Sequence, residues 1–482
     1  MGETRVVSAQ VTILAPATDV GGRHAGRSRL PAQPRLALGI LAVLVTCFAA
    51  FAASRMFPAQ PYGLAADWRI FYAAAAVVHS GGSPYDPSAM HAAEQSADHY
   101  AAVQPLLDNF ASPPIVAWAL QPVTLLPFWV SYALAAALAM IAAGTALYFW
   151  LRRWSWQRPG RWTFLAMLSW PALLGFFNGQ FDLLLLALLL GAMTLCLHRR
   201  PGLAGAVCAA AVLIKPHILW PLPLLLAASQ LPDRRAAIRS AITAASTAVG
   251  LVGCAELMMP GATGIFLTHL LAFGRQISSV QPDLSGLPGM VEHLPGGGVI
   301  GAAVTGLGVV AILGFACVWG FSARARSLPR EARLALGVGI GMAIWLVATP
   351  YGHPYDDVLL FPLIALLVGT DASGIRQRDV GWALAASILL VAGFLASLVV
   401  GSVLAVALAA MIWRRWPGTG QPGVAACALV AIAILPMVWP FHVLPVSLTP
   451  LAALTVAVGG VSLAYRTLQL RGGYSRACAE AG

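Results

Sequence analysis

The chain has 482 residues, 59% of them hydrophobic and only 10% charged, with a mean hydropathy of +0.78. A soluble globular domain carries about a quarter charged residues, so that class is excluded. The formal net charge of +11 would suit a nucleic-acid binder, but the placing of the charges gives it another meaning.

Residues 1–35 carry five arginines and read as a disordered cytoplasmic tail. They are too long for the charged region of a cleavable signal peptide, so Leu36–Ala53 reads as a retained first span. Further long apolar runs follow, including Val299–Phe321 and Val446–Tyr465. A helix needs roughly 17–25 apolar residues to cross a bilayer, and helices satisfy their own backbone polar groups in lipid. The fold class is therefore all-α, a polytopic membrane protein of about 11–14 transmembrane helices, each crossing a core of about 30 Å. Its transmembrane domain covers residues 36–465, and residues 466–482 form a second cytoplasmic tail.

Arginine clusters recur between the apolar runs, at Arg152–Arg161, Arg199–Arg200, Arg234–Arg239, Arg324–Arg333, Arg376–Arg378, Arg414–Arg415 and Arg466–Arg476. The positive-inside rule assigns all of them, with the tail, to the cytoplasm. That side then holds 25 basic and 7 acidic residues, net +18, and the other side holds 4 basic and 11 acidic, net −7. The basic balance is thus a topology signal, and no nucleic-acid partner follows from it. Both termini lie inside, and the localisation is a cell (inner) membrane, crossed many times.

Two outer segments are long, about residues 54–127 and 260–298. In the first, Trp68–His79 has helical character but is too short to span, so it is expected to lie in the interface plane. Gly81-Gly82 ends it, and Ser83-Pro84-Tyr85-Asp86-Pro87 turns the chain. Asp67, immediately before this helix, reads either as an N-cap or as a general base held above the lipid surface. The remaining outer turns are tight. Asn178-Gly179-Gln180-Phe181-Asp182 forms one; Tyr351, His353, Tyr355, Asp356 and Asp357 form another. Taken singly, these are ordinary cap and turn residues. Adjacent residues on a helix point apart, which argues against Asp356-Asp357 as a cation site.

Cysteine spacing gives neither a zinc site nor a disulfide framework: seven cysteines contain no CxxC pair. Gly296, Gly298 and Gly301 spell GxGxxG, but MVEHLP precedes them and an apolar span follows, so a glycine-rich helix start is the reading. Gly297/Gly301 and Gly337/Gly341 have the small-xxx-small spacing that packs helices. No cofactor and no metal are expected.

Lys215 stands apart. It is the only lysine beside 28 arginines, and it sits in the apolar stretch AVLIKPHILW. Arg200 and Arg234 leave 33 residues for two crossings and a turn. Arms of 12 residues, Leu203–Ile214 and Ile218–Ser229, reach about 18 Å at ~1.5 Å per residue, short of a core ~30 Å thick. The Lys215-Pro216-His217 tip is therefore expected within the outer half of the membrane, where a charge needs a partner or a polar cavity. A snorkelling anchor is the plainer reading; a cation holding a lipid phosphate is the sharper one.

The stretches DWRIFYAAAAVVHSGGSPYDP, NGQFDLLLLALLLGAMTL, RRPGLAGAVCAAAVLIKPHILWPLPLLL and TPYGHPYDDVLLFPL, in that order, resemble family 87 glycosyltransferases of the membrane-embedded GT-C type. The resemblance runs from about Asp67 to Leu363. It implies a hexosyltransferase, typically mannosyl, using a polyprenyl-phosphate-linked sugar donor within the membrane lipid and a glycan or glycolipid acceptor on the extracytoplasmic face. By the same resemblance, Asp67 is the candidate base, and Lys215 and the His353 turn fall around the donor phosphate. His217 and Arg69 are further candidates for that phosphate. Tyr85, Asp86, Asn178, Gln180, Tyr355 and Asp356 are candidate substrate contacts. The chemistry suits these residues independently: a lipid phosphate is already a good leaving group, so a base and fixed positive charge suffice. A single displacement would invert the anomeric carbon. The rival reading is a secondary transporter or lipid-linked-substrate translocase, which would place its ionisable groups near the midplane in paired broken helices. Here the acids lie at the outer rim and no internal repeat is evident.

Overall fold

The computed structural model describes residues 65–98, 110–154, 159–167, 169–277, 286–292 and 296–369. The expected spans at Leu36–Ala53 and Val446–Tyr465, both tails and the arginine clusters beyond residue 370 lie outside the described residues. Within them the fold is all-α, with no strand.

Chain order begins with α1 (Ala66–His79), α2 (Pro87–Asp98) and α3 (Pro114–Ala119), followed by a 3-10 turn at Gln121–Leu125. Next come α4 (Phe128–Arg153), α5 (Pro159–Met167), α6 (Trp170–Asn178), α7 (Asp182–Leu197) and α8 (Pro201–Ile214). The middle of the chain contributes α9 (Pro216–Leu219), α10 (Pro221–Gln230), α11 (Arg234–Met258), α12 (Ala262–Ile277) and α13 (Leu287–Glu292). The last described elements are α14 (Gly297–Phe321), α15 (Ala323–Ser327), α16 (Arg330–Ala348), a 3-10 helix at Pro354–Leu360 and α17 (Phe361–Gly369). Six of these α-helices open on proline, whose fixed φ and missing N–H suit a first helical position.

Among the described residues, α4, α11, α14 and α16 are long and apolar enough to cross a membrane, and α7 and α8 are shorter apolar helices. They divide by burial. The most apolar window of α16 is 83% buried inside the protein, against 11% for α11. Helix α16 is therefore the centre of the bundle, with its glycines at the contacts: Gly341 faces the Leu225 side chain, and Gly337 faces Ser229 and the Trp319 indole, each too close for a Cβ. Helices α11 and α14 instead turn Ile238, Ile242, Val249, Val299, Leu307 and Val318 outward, as lipid-facing helices do, since lipid is as apolar as the side chains themselves. The GxGxxG glycines behave as a helix start: Gly296 has φ +73° just before α14, and Gly301 lies against the Pro288 carbonyl.

Polar ties gather at one end of the bundle. Arg153 of α4 pairs with Glu331 of α16 at 2.6 Å. Arg330 donates to the carbonyl of Cys196 near the end of α7, at 2.6 Å, and Arg333 donates to the Ser229 carbonyl of α10, at 2.8 Å. Helix α16 starts at this end and α7 finishes there, so the start of α7 and the finish of α16 share the opposite end.

The structure alters two expectations. Helix α1 starts at Ala66, so Asp67 is its second residue rather than its cap; the capping position belongs to Ala65, at φ 64° with no side-chain cap bond. Ala65 can take that position because its N–H donates to the Phe177 carbonyl at 2.7 Å, which fixes the start of α1 from outside. The second arm of the lysine hairpin is also not one helix: a break at Trp220-Pro221 divides it into α9 and α10. Proline at 221 has no N–H to continue the ladder of α9.

Candidate active site

The candidate site is built where α1, the α6–α7 turn, the α8–α9 break and the turn after α16 meet. Each part has a local cause. Gly179 ends α6 at φ +72°, and Gln180 N–H closes the turn on the Gly175 carbonyl at 2.9 Å, an arrangement that glycine makes without steric cost. A Cβ on Gly179 would stand 2.5 Å from the Cβ of Trp68, so this glycine also lets α1 lie directly on the turn. Trp68 is held by its indole N–H, which donates to Ser131 Oγ at 3.0 Å, and Tyr132 Oη donates to the Phe176 carbonyl at 2.9 Å. Helix α4 thereby fixes both α1 and the end of α6.

Asp182 opens α7 with its side chain fully buried; a carboxylate is favoured at a helix N-terminus. Lys215 lies at the end of α8, where Pro216 forces the break. Its ammonium is 3.1 Å and 3.3 Å from the two carboxylate oxygens of Asp182 and 2.6 Å from Asp356 Oδ1. It also lies 4.6 Å over the Tyr355 ring. The other oxygen of Asp356 accepts from the His353 N–H at 2.7 Å, which closes the turn before the 3-10 helix. Lys215, Asp182 and Asp356 are all buried. The partner that the lysine needed is thus two acids.

Above this buried floor lies a half-exposed layer of Asp67, Asn178, Gln180, His217 and Tyr351. Gln180 Nε2 donates to Tyr355 Oη at 3.2 Å. Burial pushes the Tyr355 phenol up, and the nearby Asp67 carboxylate adds to that rise. A run of rings leads away from Tyr355: His353 stacks on it at 4.8 Å, Tyr351 meets His353 at 5.0 Å, and His217 meets Tyr351 at 5.1 Å. His217 is located by its backbone carbonyl, which accepts from the Trp345 indole at 2.9 Å. Its Nε2 is buried without a hydrogen-bond partner, and such a group in a native protein usually answers to a ligand or water.

The sequence candidates therefore separate. Asp67, Gln180, Lys215, His217, His353, Tyr355 and Asp356 are drawn together, and Asn178 closes α6 beside them. Arg69 is buried one residue from Trp68, its guanidinium 5.9 Å from the Phe128 ring centre. Tyr85 and Asp86 are held by a different set of contacts. The Tyr85 hydroxyl donates to the Ser112 carbonyl at 2.9 Å and its ring meets Phe110, Phe266 and His269, while Asp86 Oδ1 accepts from Ser88 N–H at 2.9 Å at the start of α2. Sequence reading did not select Asp182 as a site residue. Its signal was present: one acid opening the otherwise uncharged run DLLLLALLL, and an ionisable residue in such a run needs a partner. Among the described residues no group of His, Cys, Asp and Glu is arranged to hold a metal ion.

An all-helical bundle with helices long and apolar enough to cross a membrane, and an ionisable, aromatic-lined cluster at one end, defines an integral membrane protein. Comparison with known families specifies it. Glycosyltransferase family 87 matches residues 110–350, half of the 482 residues, and the chain belongs to that family. It is a membrane glycosyltransferase. The match includes Gln180, Asp182, Lys215 and His217; Asp67 precedes it and the Tyr351–Asp357 turn follows directly after it. No curated protein matched the chain.

Proposed function

We propose that the protein transfers a hexosyl group, mannosyl by family resemblance, from a polyprenyl-phosphate sugar to a glycan or glycolipid acceptor on the extracytoplasmic face. The observation that carries the reading is the gathering of Gln180, Tyr355, His353, Tyr351 and His217 beside the buried Lys215–Asp182–Asp356 cluster, with Asp67 on the helix whose Trp68 lies against the Gly179 turn. In the proposed step the acceptor hydroxyl oxygen bonds to the anomeric carbon while the bond from that carbon to the phosphate oxygen breaks. Asp67 takes the hydroxyl proton, and the polyprenyl phosphate leaves with the electron pair. Attack opposite the leaving group inverts the anomeric carbon.

The half-exposed layer supports these roles. Asp67 belongs to the first turn of α1 and is not its cap, and it is half-exposed, where an acceptor hydroxyl could reach it. On the phosphate side, His217 has an unmatched Nε2 at the mouth of the α8–α9 break, and an imidazole N–H there would donate to a phosphate oxygen. His353 and Arg69 complete the proposed donor side, with Asn178 and Gln180 available to sugar hydroxyls. Lys215, also expected at the phosphate, has three ammonium protons and three carboxylate oxygens already around it. Its effect on the donor is accordingly assigned through the cluster it holds.

The test is transfer by purified protein from a panel of polyprenyl-phosphate sugars, with the product's anomeric configuration read by NMR. Product of inverted configuration, lost on Asp67→Asn, is expected. Retained configuration, or transfer only from nucleotide sugars, would overturn the proposal.

A further inference from the structure

Lys215 gathers three turns that are far apart in sequence. Its ammonium bridges Asp182 at the start of α7 and Asp356 in the 3-10 helix, 33 and 141 positions away. The lysine itself sits at the break between α8 and α9. Asp182 and Asp356 are both fully buried, so the carboxylates have no bulk water to replace the lysine.

The geometry also says why this residue is a lysine when every other basic residue is arginine. A guanidinium is a planar fork that engages one carboxylate bidentately, whereas an ammonium is a compact charge whose three donors diverge. Here the acids approach from two helices and the Tyr355 ring covers another side at 4.6 Å. Divergent donors fit that surround; a planar fork does not. The arrangement also disfavours a phosphate at the same nitrogen. An incoming anion would meet two carboxylates already within hydrogen-bond distance of it, and like charges this close inside a low-dielectric site repel strongly.

We propose that Lys215 is a positioning residue: by clamping Asp182 and Asp356 it locks the turns that carry Gln180 and Tyr355 opposite Asp67, while the donor phosphate is held by other groups. The proposal rests on the transferase reading given above and deepens it. Tyr355 is the link: it lies under the Lys215 charge, accepts from Gln180 at 3.2 Å, and stacks on His353 at 4.8 Å. Loosening the clamp shifts all three neighbours together. In a site where a small misplacement of reacting groups costs on the order of 100-fold in rate, the loss falls on turnover.

The experiment compares wild type, Lys215→Met, Asp356→Asn and the double variant Lys215→Met/Asp356→Asn, which restores the cluster's net charge. Unfolding midpoints in detergent and steady-state kinetics against polyprenyl-phosphate sugar are read for each. A positioning role predicts that Lys215→Met lowers the midpoint and that the double variant recovers much of it. It predicts further that in the double variant kcat falls at least about 10-fold while donor KM stays within about 3-fold of wild type. A donor KM raised 10-fold or more with kcat preserved would make Lys215 a phosphate ligand and overturn the proposal. If wild type used none of the donors, the transferase reading would fail by itself. The midpoints would still decide the clamp: non-additive effects of the two substitutions support it, and additive effects overturn it.

Discussion

Lys215 Nζ stands 2.6 Å from Asp356 Oδ1, although 141 positions of chain separate the two residues. The contact fastens the turn after the central helix α16 to the break in the hairpin of α8, α9 and α10. It is made inside the protein, so each partner depends on the other for its charge.

Removing the carboxylate should therefore be costly, and more so than removing its charge alone. Asp356→Leu leaves Lys215 with Asp182 only, and takes away the acceptor of the His353 N–H at 2.7 Å. Breaking a buried ion pair from one side costs about 3–5 kcal/mol. Asp356→Asn keeps an acceptor for that N–H and should cost clearly less. Unfolding of the detergent-solubilised protein checks the order; equal losses for the two variants would show that the acceptor for the His353 N–H adds nothing beyond the lost charge.

Gly179 gives a second, purely steric prediction. Its φ of +72° costs a residue with a Cβ about 1–2 kcal/mol, and here the added carbon would also collide with Trp68 at 2.5 Å. Relief requires α1 to lift from the α6–α7 turn, and Asp67 is one residue from Trp68. Gly179→Ala should lower the unfolding midpoint and reduce transfer at least about 10-fold, whereas Gly191→Ala, in open space on α7, should do neither. Equal activity of the two variants would separate α1 from the site.

These residues also show what sequence could and could not supply. The all-helical membrane class followed from composition and apolar run length, because the bilayer imposes both. The outer turns were legible as turns through Gly179, Pro216 and Pro354, whose backbone preferences are local. Lys215's need for a partner followed from its apolar surroundings. Its partners did not, since the choice of Asp182 and Asp356 depends on how α7, α8 and α16 pack, and that is a long-range property. The start of α1 lies two positions before the expected one because a tertiary bond from Ala65 to Phe177 replaces the side-chain cap that local sequence suggests. Tyr85 is instead tied to Ser112, Phe266 and His269, distant in sequence, contacts that a local reading of the turn could not supply, and Asp86 is tied to the start of α2.

Orientation in the membrane is open to a labelling test. The arginine-rich ends of α4, α7, α10 and α16 are tied together at one end, by Arg153, Arg330 and Arg333, and the positive-inside rule puts that end in the cytoplasm. In a cysteine-free background, Ala92→Cys on α2 should react with an impermeant maleimide in intact cells. Ser327→Cys on α15 should react only after permeabilisation. The reverse pattern would turn the molecule over and place the candidate site inside.

The last prediction concerns Asp67, and the structure sharpens it. Had Asp67 been the cap of α1, its replacement would lose about 1 kcal/mol of stability along with any chemistry, and the two effects would be entangled. The cap position is held by Ala65, whose N–H is anchored on Phe177, so substitution at 67 spares the start of the helix. Asp67→Asn preserves shape and hydrogen-bonding reach while removing the ability to take a proton. The unfolding midpoint should stay close to wild type, and transfer should fall about 10²–10⁴-fold, the usual contribution of a general base. Asp67→Glu keeps the carboxylate but moves it by one methylene, and should retain measurable turnover above that of the Asn variant. Full activity in Asp67→Asn would remove the base from this position. An Asn variant that unfolds early would instead make Asp67 a structural support of the rim.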